Sequence, residues 1–99
     1  MLENVELNKD KKRQFKVVAA NQNQTMKALI LNEAQYVIEN NLDVPSYERE
    51  SEEDRTSLII DIPSNIKESI KTFTYSHNLK IRDLWVHCVD RRLERYNNV

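Results

Sequence analysis

The chain has 99 residues and a net charge of -1, with 39% hydrophobic and 31% charged residues, so it can form one compact core or two very small units. This length argues against a multidomain enzyme. The sequence contains no glycine, which excludes glycine-dependent phosphate loops, dinucleotide-binding fingerprints, nucleophile elbows and EF-hand calcium loops. No nucleophile and base occur at a convincing spacing either, and we therefore expect a protein that is not an enzyme and has no cofactor.

The apolar runs of the sequence are short. Uncharged apolar stretches such as Val17 to Ala20 and Ala28 to Leu31 are too short to span a bilayer or to form the core of a signal peptide. The single cysteine, Cys88, cannot form an internal disulfide. We therefore expect a soluble, cytoplasmic protein that makes no membrane contact.

The first segment, residues 1–41, has the pattern of a short strand followed by two helices. Val5 and Leu7 alternate with polar residues as in a half-buried strand, and Asn23 is a suitable break between helices. The two helical faces are formed by apolar residues at helical spacing: Phe15, Val18 and Ala19 in the first helix, and Met26, Leu29, Ile30, Ala34, Val37 and Ile38 in the second.

An acidic linker is predicted over residues 42–56. Residues 43–56 contain two basic and six acidic side chains together with Pro45 and two serines. This composition favours a solvated tether over a packed element, and DNA mimicry or cation binding by its carboxylates is a weaker alternative.

The last segment, residues 57–99, repeats the order of elements more clearly. Its strand is predicted from Ser57, with Leu58, Ile60 and Ile62 on one face, and Ser64 is predicted as the N-cap of the helix that follows Pro63. Two helical stripes follow, separated by a break at Asn78: Ile66, Ile70, Phe73, Thr74 and His77, then Ile81, Leu84, Trp85, Cys88, Val89 and Leu93.

The two segments align without a gap at an offset of 55 residues. Phe15 then falls on Ile70 and Leu29 on Leu84, and apolar positions coincide along the whole alignment. Few residues are identical, so the repeat is one of hydrophobic pattern. The sequence thus predicts a mainly α fold with a short two-stranded antiparallel ribbon, in which a strand-helix-helix unit occurs twice.

This pattern resembles the ribbon-helix-helix fold of the Arc, MetJ and CopG families, and the two copies resemble the tandem arrangement of TraY-like proteins. The resemblance covers residues 2–41 and 57–97 and is clearest in SLIIDIPSNIKESIKTFTYSHNLKIRDLWVHCVDRRLERY, residues 57–96. It implies that two strands pair over interlocked helices and enter the major groove of double-stranded DNA. The linker length allows the strands to pair within one chain or between two chains, and pseudo-dimers could also self-associate.

The resemblance also implies which side chains meet DNA. The outward strand positions, which would read bases, are Leu2, Asn4, Glu6, Ser57, Ile59 and Asp61. The starts of the second helices, which would hold phosphates, carry Thr25, Lys27, Lys80 and Arg82. The ribbon departs from the family because it offers two carboxylates and no cation, although a carboxylate can accept from cytosine and an isoleucine can contact a thymine methyl group.

Two functions follow from these features. The first is a small sequence-specific DNA-binding regulator or plasmid or phage accessory factor, such as a repressor that occupies its site sterically. The alternative is a protein-interaction module of the same fold, an antirepressor or DNA-mimicking inhibitor, which the acidic ribbon and linker favour.

Other notable residues are expected to have structural roles. Trp85 and Cys88 lie on an apolar stripe and are predicted to be core residues. The two histidines and Cys88 lack the spacing of a metal site, so no metal is expected. The basic residues of the first helix are expected to form a solvated face, with a track of phosphate contacts as the alternative: Lys9, Lys11, Lys12, Arg13 and Lys16. The basic residues of the last helix are expected to favour its C-terminus without partners: Arg91, Arg92 and Arg95.

Overall fold

The structure, a computed structural model, describes residues 1–97 and has four helices and two strands. In chain order the elements are β1 (Leu2–Asn8), α1 (Lys9–Asn21), α2 (Met26–Glu39), β2 (Arg55–Asp61), α3 (Ser64–Ser76) and α4 (Ile81–Asn97). The prediction of a mainly helical protein with one two-stranded antiparallel sheet is confirmed.

The strands β1 and β2 pair with each other in the same chain. They are antiparallel along their full length, from Leu2 opposite Asp61 to Asn8 opposite Arg55. The second strand begins at Arg55, two residues earlier than the predicted start at Ser57. Of the two pairings that the sequence left open, the structure therefore has the one within a chain.

Asparagine takes the place of glycine where three of the helices end. Asn23, Asn41 and Asn78 have φ angles of 55°, 49° and 54°, in the left-handed region that asparagine tolerates better than most residues. After α1 the amide of Gln24 donates to Ala19 O at 2.9 Å, and equivalent bonds follow α2 and α3. The predicted breaks at Asn23 and Asn78 are confirmed.

Side-chain caps explain two of the helix starts. The Asn8 carboxamide accepts from the amides of Asp10 and Lys11 at the start of α1, and the Thr25 hydroxyl accepts from Ala28 N at 3.0 Å at the start of α2. The predicted cap at Ser64 is wrong. The N-cap of α3 is Pro63, which has a φ of -58° and an extended ψ of 145°. The first helical residue is therefore Ser64 itself.

A single core lies between the inner face of the ribbon and the four helices. Trp85 and Cys88 are fully buried in it, as predicted. The core joins apolar residues of both halves of the chain, among them Val5, Leu7, Phe15, Leu29, Ile30, Ile60, Ile62, Ile70, Leu84 and Val89. Neither half alone encloses these residues, and hence burial couples the two halves into one unit.

The segment between α2 and β2 is packed in its first part. Leu42 and Val44 lie against the core, and Tyr47 N donates to the buried Asp83 carboxylate at 3.0 Å. The acidic residues that follow are exposed: Glu48, Glu50, Glu52, Glu53 and Asp54. The predicted solvated tether is therefore found only in the second part of the segment, because apolar and aromatic side chains anchor the first.

The basic end of α4 has a partner that the sequence interpretation missed. Arg91, Arg92 and Arg95 all contact the carboxylate of Glu33, which is buried on α2. The expectation that these arginines need no partner is wrong. Glu33 lies at helical spacing from Ile30 and Val37, so α2 presents a carboxylate on the stripe that packs against α4.

Candidate nucleic-acid interface

The outer face of the ribbon is uncovered by the rest of the described chain. Side chains alternate along each strand, and the inward set is buried while Ile59 on the outer face is 65% exposed. Four cross-strand pairs form this face: Leu2 with Asp61, Asn4 with Ile59, Glu6 with Ser57, and Asn8 with Arg55. The six predicted base-reading residues thus lie together on one surface, and all are exposed except Glu6, which is half-buried.

Glu6 is held by two arginines. Its Oε1 lies 2.9 Å from Arg49 Nη2 and 2.9 Å from Arg55 Nε. Arg49 belongs to the packed segment and Arg55 opens β2, so neither was predicted to meet the ribbon. This carboxylate is therefore engaged in two ion pairs. It is not the free acceptor for cytosine that the sequence interpretation expected.

Asp61 is also compensated, at the opposite end of the ribbon. The terminal amino group of Met1 lies 2.8 Å from Asp61 Oδ1, and this hydrogen bond and charge hold the pKa of the carboxyl below its usual range. Lys27 lowers the pKa of Asp61 further through its charge.

The α2 start is open. Thr25 and Lys27 are both exposed, and the Thr25 hydroxyl is engaged only with the amide of Ala28. A helix N-terminus with free amides and a nearby lysine favours an anion such as a phosphate. The placement of these two residues suits the role that the resemblance implies.

The α4 start is partly covered. Lys80 is exposed, but Arg82 is half-buried and its Nη2 donates to the carbonyl of Tyr47 at 3.2 Å. The buried carboxylate of Asp83 accepts from Lys80 N at 3.1 Å and from Tyr47 N, so an anion of the protein already occupies this helix start. Of the four predicted phosphate anchors, Thr25, Lys27 and Lys80 are therefore exposed. Arg82 instead binds the segment between α2 and β2 through the carbonyl of Tyr47.

The basic residues of α1 divide into different roles. Lys12 Nζ donates to Ser57 O at 2.7 Å and so brings a cation to the edge of β2. Lys11 instead pairs with Asp90 of α4 at 2.8 Å, and Arg13 pairs with the exposed Asp10. Lys9 and Lys16 remain on the solvated face that the sequence predicted.

No cluster of three or more histidine, cysteine, aspartate or glutamate side chains suited to a metal ion occurs among the described residues. Burial raises the pKa of the Cys88 thiol far above its usual range, as is typical of a cysteine packed in a core. In residues 1–97 no helix combines the length and apolar character needed to cross a membrane.

No family model, curated protein or solved structure matches the chain.

Proposed function

We propose that the chain is a tandem ribbon-helix-helix protein that binds double-stranded DNA by placing the β1–β2 ribbon in the major groove. The observation that carries this proposal is the two-stranded ribbon itself, which packs on helices with one face and leaves the other uncovered. The major groove admits a two-stranded ribbon. A protein of this kind regulates or organises DNA by occupying a site, without catalysis.

The strand register supports the tandem interpretation. When 55 is added to the residue numbers of β1, Asn4 becomes the counterpart of Ile59, and these two residues are paired at the centre of the ribbon. The same addition converts Leu2 to Ser57 and Glu6 to Asp61. The pairs Leu2–Asp61 and Glu6–Ser57 are therefore counterparts of each other on either side of this central pair. Such a register is what a pseudo-twofold arrangement of two strand-helix-helix units requires.

The charges around the ribbon favour DNA more than the strand sequences alone indicate. The outer face carries two carboxylates, Glu6 and Asp61, and the fold surrounds Glu6 with Arg49 and Arg55 and Asp61 with the terminal amino group. Each carboxylate of the outer face thus has a cation beside it. Repulsion from phosphates, the main objection to DNA binding from the sequence, is thereby reduced.

Direct base contacts would come from the centre of the face. Asn4 can form a bidentate pair with adenine, Ser57 can donate or accept, and Ile59 can contact a thymine methyl group. Glu6, because it is held by two arginines, would not be free to accept from cytosine. Phosphate contacts would come from Thr25, Lys27 and Lys80, which flank the ribbon on the exposed helix starts.

Selection of duplexes from a random library, followed by a salt series, tests the proposal. Lys12, Lys27, Arg49 and Lys80 would give a log-log slope of about -3.6 if all four contact phosphates. Asn4→Ala and Ile59→Ala should each relax the selected sequence at one position. Tyr75→Ala, which alters an exposed residue near the end of α3, is the matched control and should leave binding unchanged.

A protein partner remains the second candidate. Leu2 and Ile59 are large apolar side chains exposed on the ribbon, and the acidic residues between Glu48 and Asp54 are exposed. Such a combination suits an antirepressor or DNA mimic. Absence of any duplex binding at low salt would exclude the DNA proposal and favour this one.

A further inference from the structure

A buried carboxylate between α2 and α4 is surrounded by more positive charge than it can neutralise. Glu33 is 1% exposed. Arg91 Nε lies 3.3 Å from Glu33 Oε2, Arg92 Nη2 lies 3.1 Å from Oε1, and Arg95 also contacts Oε1. Three guanidinium groups thus share one carboxylate, which leaves two positive charges in excess.

The neighbouring acidic residues of α4 do not remove this excess. Asp90 is paired with Lys11 at 2.8 Å, and Glu94 is exposed and has no ion pair among the described residues. Arg91 additionally stacks over the ring of Tyr36, with its guanidinium carbon 5.2 Å from the ring centre. Of the three arginine side chains, Arg95 is the most exposed, at 53%.

Arg92 has donors that the protein does not satisfy. Its Nε is buried and has no hydrogen-bond partner in residues 1–97, and its Nη1 reaches only Gln22 Oε1, at 3.5 Å. Burial lowers the pKa of Arg92, Glu33 opposes that shift, and the charges of Arg95 and Arg91 lower it further. The buried Nε lies out of reach of solvent, but an anion beside Arg92 and Arg95 would relieve the crowding of positive charge.

These groups line a groove that is open to solvent. Gln22, Arg92, Arg95 and Tyr96 line this groove, whose volume is about 490 Å³. The Tyr96 phenol oxygen accepts a hydrogen bond from Asn21 Nδ2, so its own hydroxyl proton is free to be donated. The groove therefore presents donors from two guanidinium groups and one phenol, and within residues 1–97 its lining includes no carboxylate.

We propose that this groove binds the carboxylate or phosphate group of a small anionic ligand, with Arg92, Arg95 and Tyr96 as donors. A planar guanidinium pairs with two oxygens of such a group, and a second guanidinium with the phenol completes its coordination. None of these residues belongs to the ribbon, and the inference does not depend on the proposed DNA binding. A ligand held here would contact α4 and the end of α1 and would tighten the packing around Glu33.

Titration at constant ionic strength, followed by NMR of the arginine Nε–Hε resonances, tests the site. Inorganic phosphate, phenyl phosphate and benzoate are the probes, so that the phosphate and carboxylate arms are measured separately. We expect saturable shifts of Arg92 and Arg95 with at least one probe and a Kd of about 1 mM or below. Unsaturated or absent shifts with all three probes up to tens of times that concentration would overturn the proposal.

Two variants and a matched control distinguish a site from general electrostatics. Arg95→Gln should weaken binding at least about tenfold and Tyr96→Phe by a smaller factor, because each removes donors from the groove. Lys71→Gln removes the same charge from an exposed side chain of α3 outside the groove and should leave the affinity unchanged. Equal losses in Arg95→Gln and Lys71→Gln would overturn the proposal, as would unchanged binding in both groove variants.

Discussion

Glu33 on α2 and Arg92 on α4 form an ion pair of 3.1 Å, and the carboxylate side chain is only 2% exposed. The two residues are 59 positions apart in the sequence, so the pair joins the first half of the chain to the second. Arg91 and Arg95 add contacts to the same carboxylate. The helix pair α2–α4 is thus held by apolar packing together with one buried, charged link.

Glu33→Gln should destabilise the protein by about 3 kcal/mol, because it leaves three arginines crowded together without their shared counter-charge. Urea denaturation measures the loss. Glu39→Gln, on the same helix but exposed, is the control and should change stability by less than about 0.5 kcal/mol. Similar stabilities for the two variants would contradict the role given to Glu33.

Trp85→Ala should cost about 3 to 5 kcal/mol and Leu84→Ala about 2 to 5 kcal/mol, since both side chains are fully buried in the core. Trp85→Phe should cost less than the alanine variant. The indole Nε1 is buried without a hydrogen-bond partner among the described residues, so phenylalanine loses volume but no polar contact. Denaturant melts that show losses below about 1 kcal/mol for either alanine variant would contradict this packing.

Stability should decrease as the pH falls below the unfolded pKa of histidine, about 6.5, because of His87. Burial, followed by the charge of Arg91, lowers the pKa of His87, so the unfolded state binds the proton more readily than the folded state. The neutral ring lies 3.2 Å from the hydroxyl of Tyr47, whose pKa burial raises to about 12 and which therefore stays protonated.

Thermal unfolding between pH 7.5 and 5 measures this effect in wild type and in His87→Gln. The variant should show a flatter dependence on pH, and His77→Gln should follow the wild type. Identical slopes in wild type and His87→Gln would show that another group is responsible for the pH dependence.

Glu6→Gln should raise the affinity for random DNA, because it releases Arg49 and Arg55 from their shared carboxylate. Asp61→Asn should also raise it, by a smaller amount, since only the terminal amino group loses its partner. Electrophoretic mobility shifts with random and selected duplexes measure both. A loss of affinity for all sequences in Glu6→Gln would mean that the arginines need this carboxylate to be positioned.

Lys27→Ala should reduce the salt slope of DNA binding by about 0.9, the value for one phosphate contact, and should weaken all sequences equally. Arg82→Ala should leave the slope nearly unchanged, because Arg82 donates to the Tyr47 carbonyl at 3.2 Å. Fluorescence anisotropy at several salt concentrations compares the two variants. Equal reductions of the slope would assign a phosphate contact to Arg82 after all.

Much of the fold follows from local patterns. Alternation at Val5 and Leu7, helical spacing after Pro63 and the asparagine breaks at Asn23 and Asn78 all correspond to elements in the structure. Such signals depend on near neighbours in the chain, and the sequence carries them directly.

Contacts between distant residues could not be predicted in the same way. No local pattern pairs Glu33 with arginines 58 to 62 positions later, or Glu6 with Arg49. A signal existed in one case: Glu33 lies at helical spacing from Ile30 and Val37, where a charged residue needs a buried partner. The average composition of residues 42–56 likewise concealed Leu42, Val44 and Tyr47, which anchor that segment.

The pairing of β1 with β2 inside one chain has a consequence for how the ribbon can change. When two identical chains pair to form such a ribbon, their folding depends on protein concentration, and each substitution appears on both strands. Here both strands belong to one chain, and a substitution at Asn4 leaves Ile59 opposite it untouched. The two sides of the outer face can therefore diverge separately, which in the proposed DNA-binding role would suit a non-palindromic site.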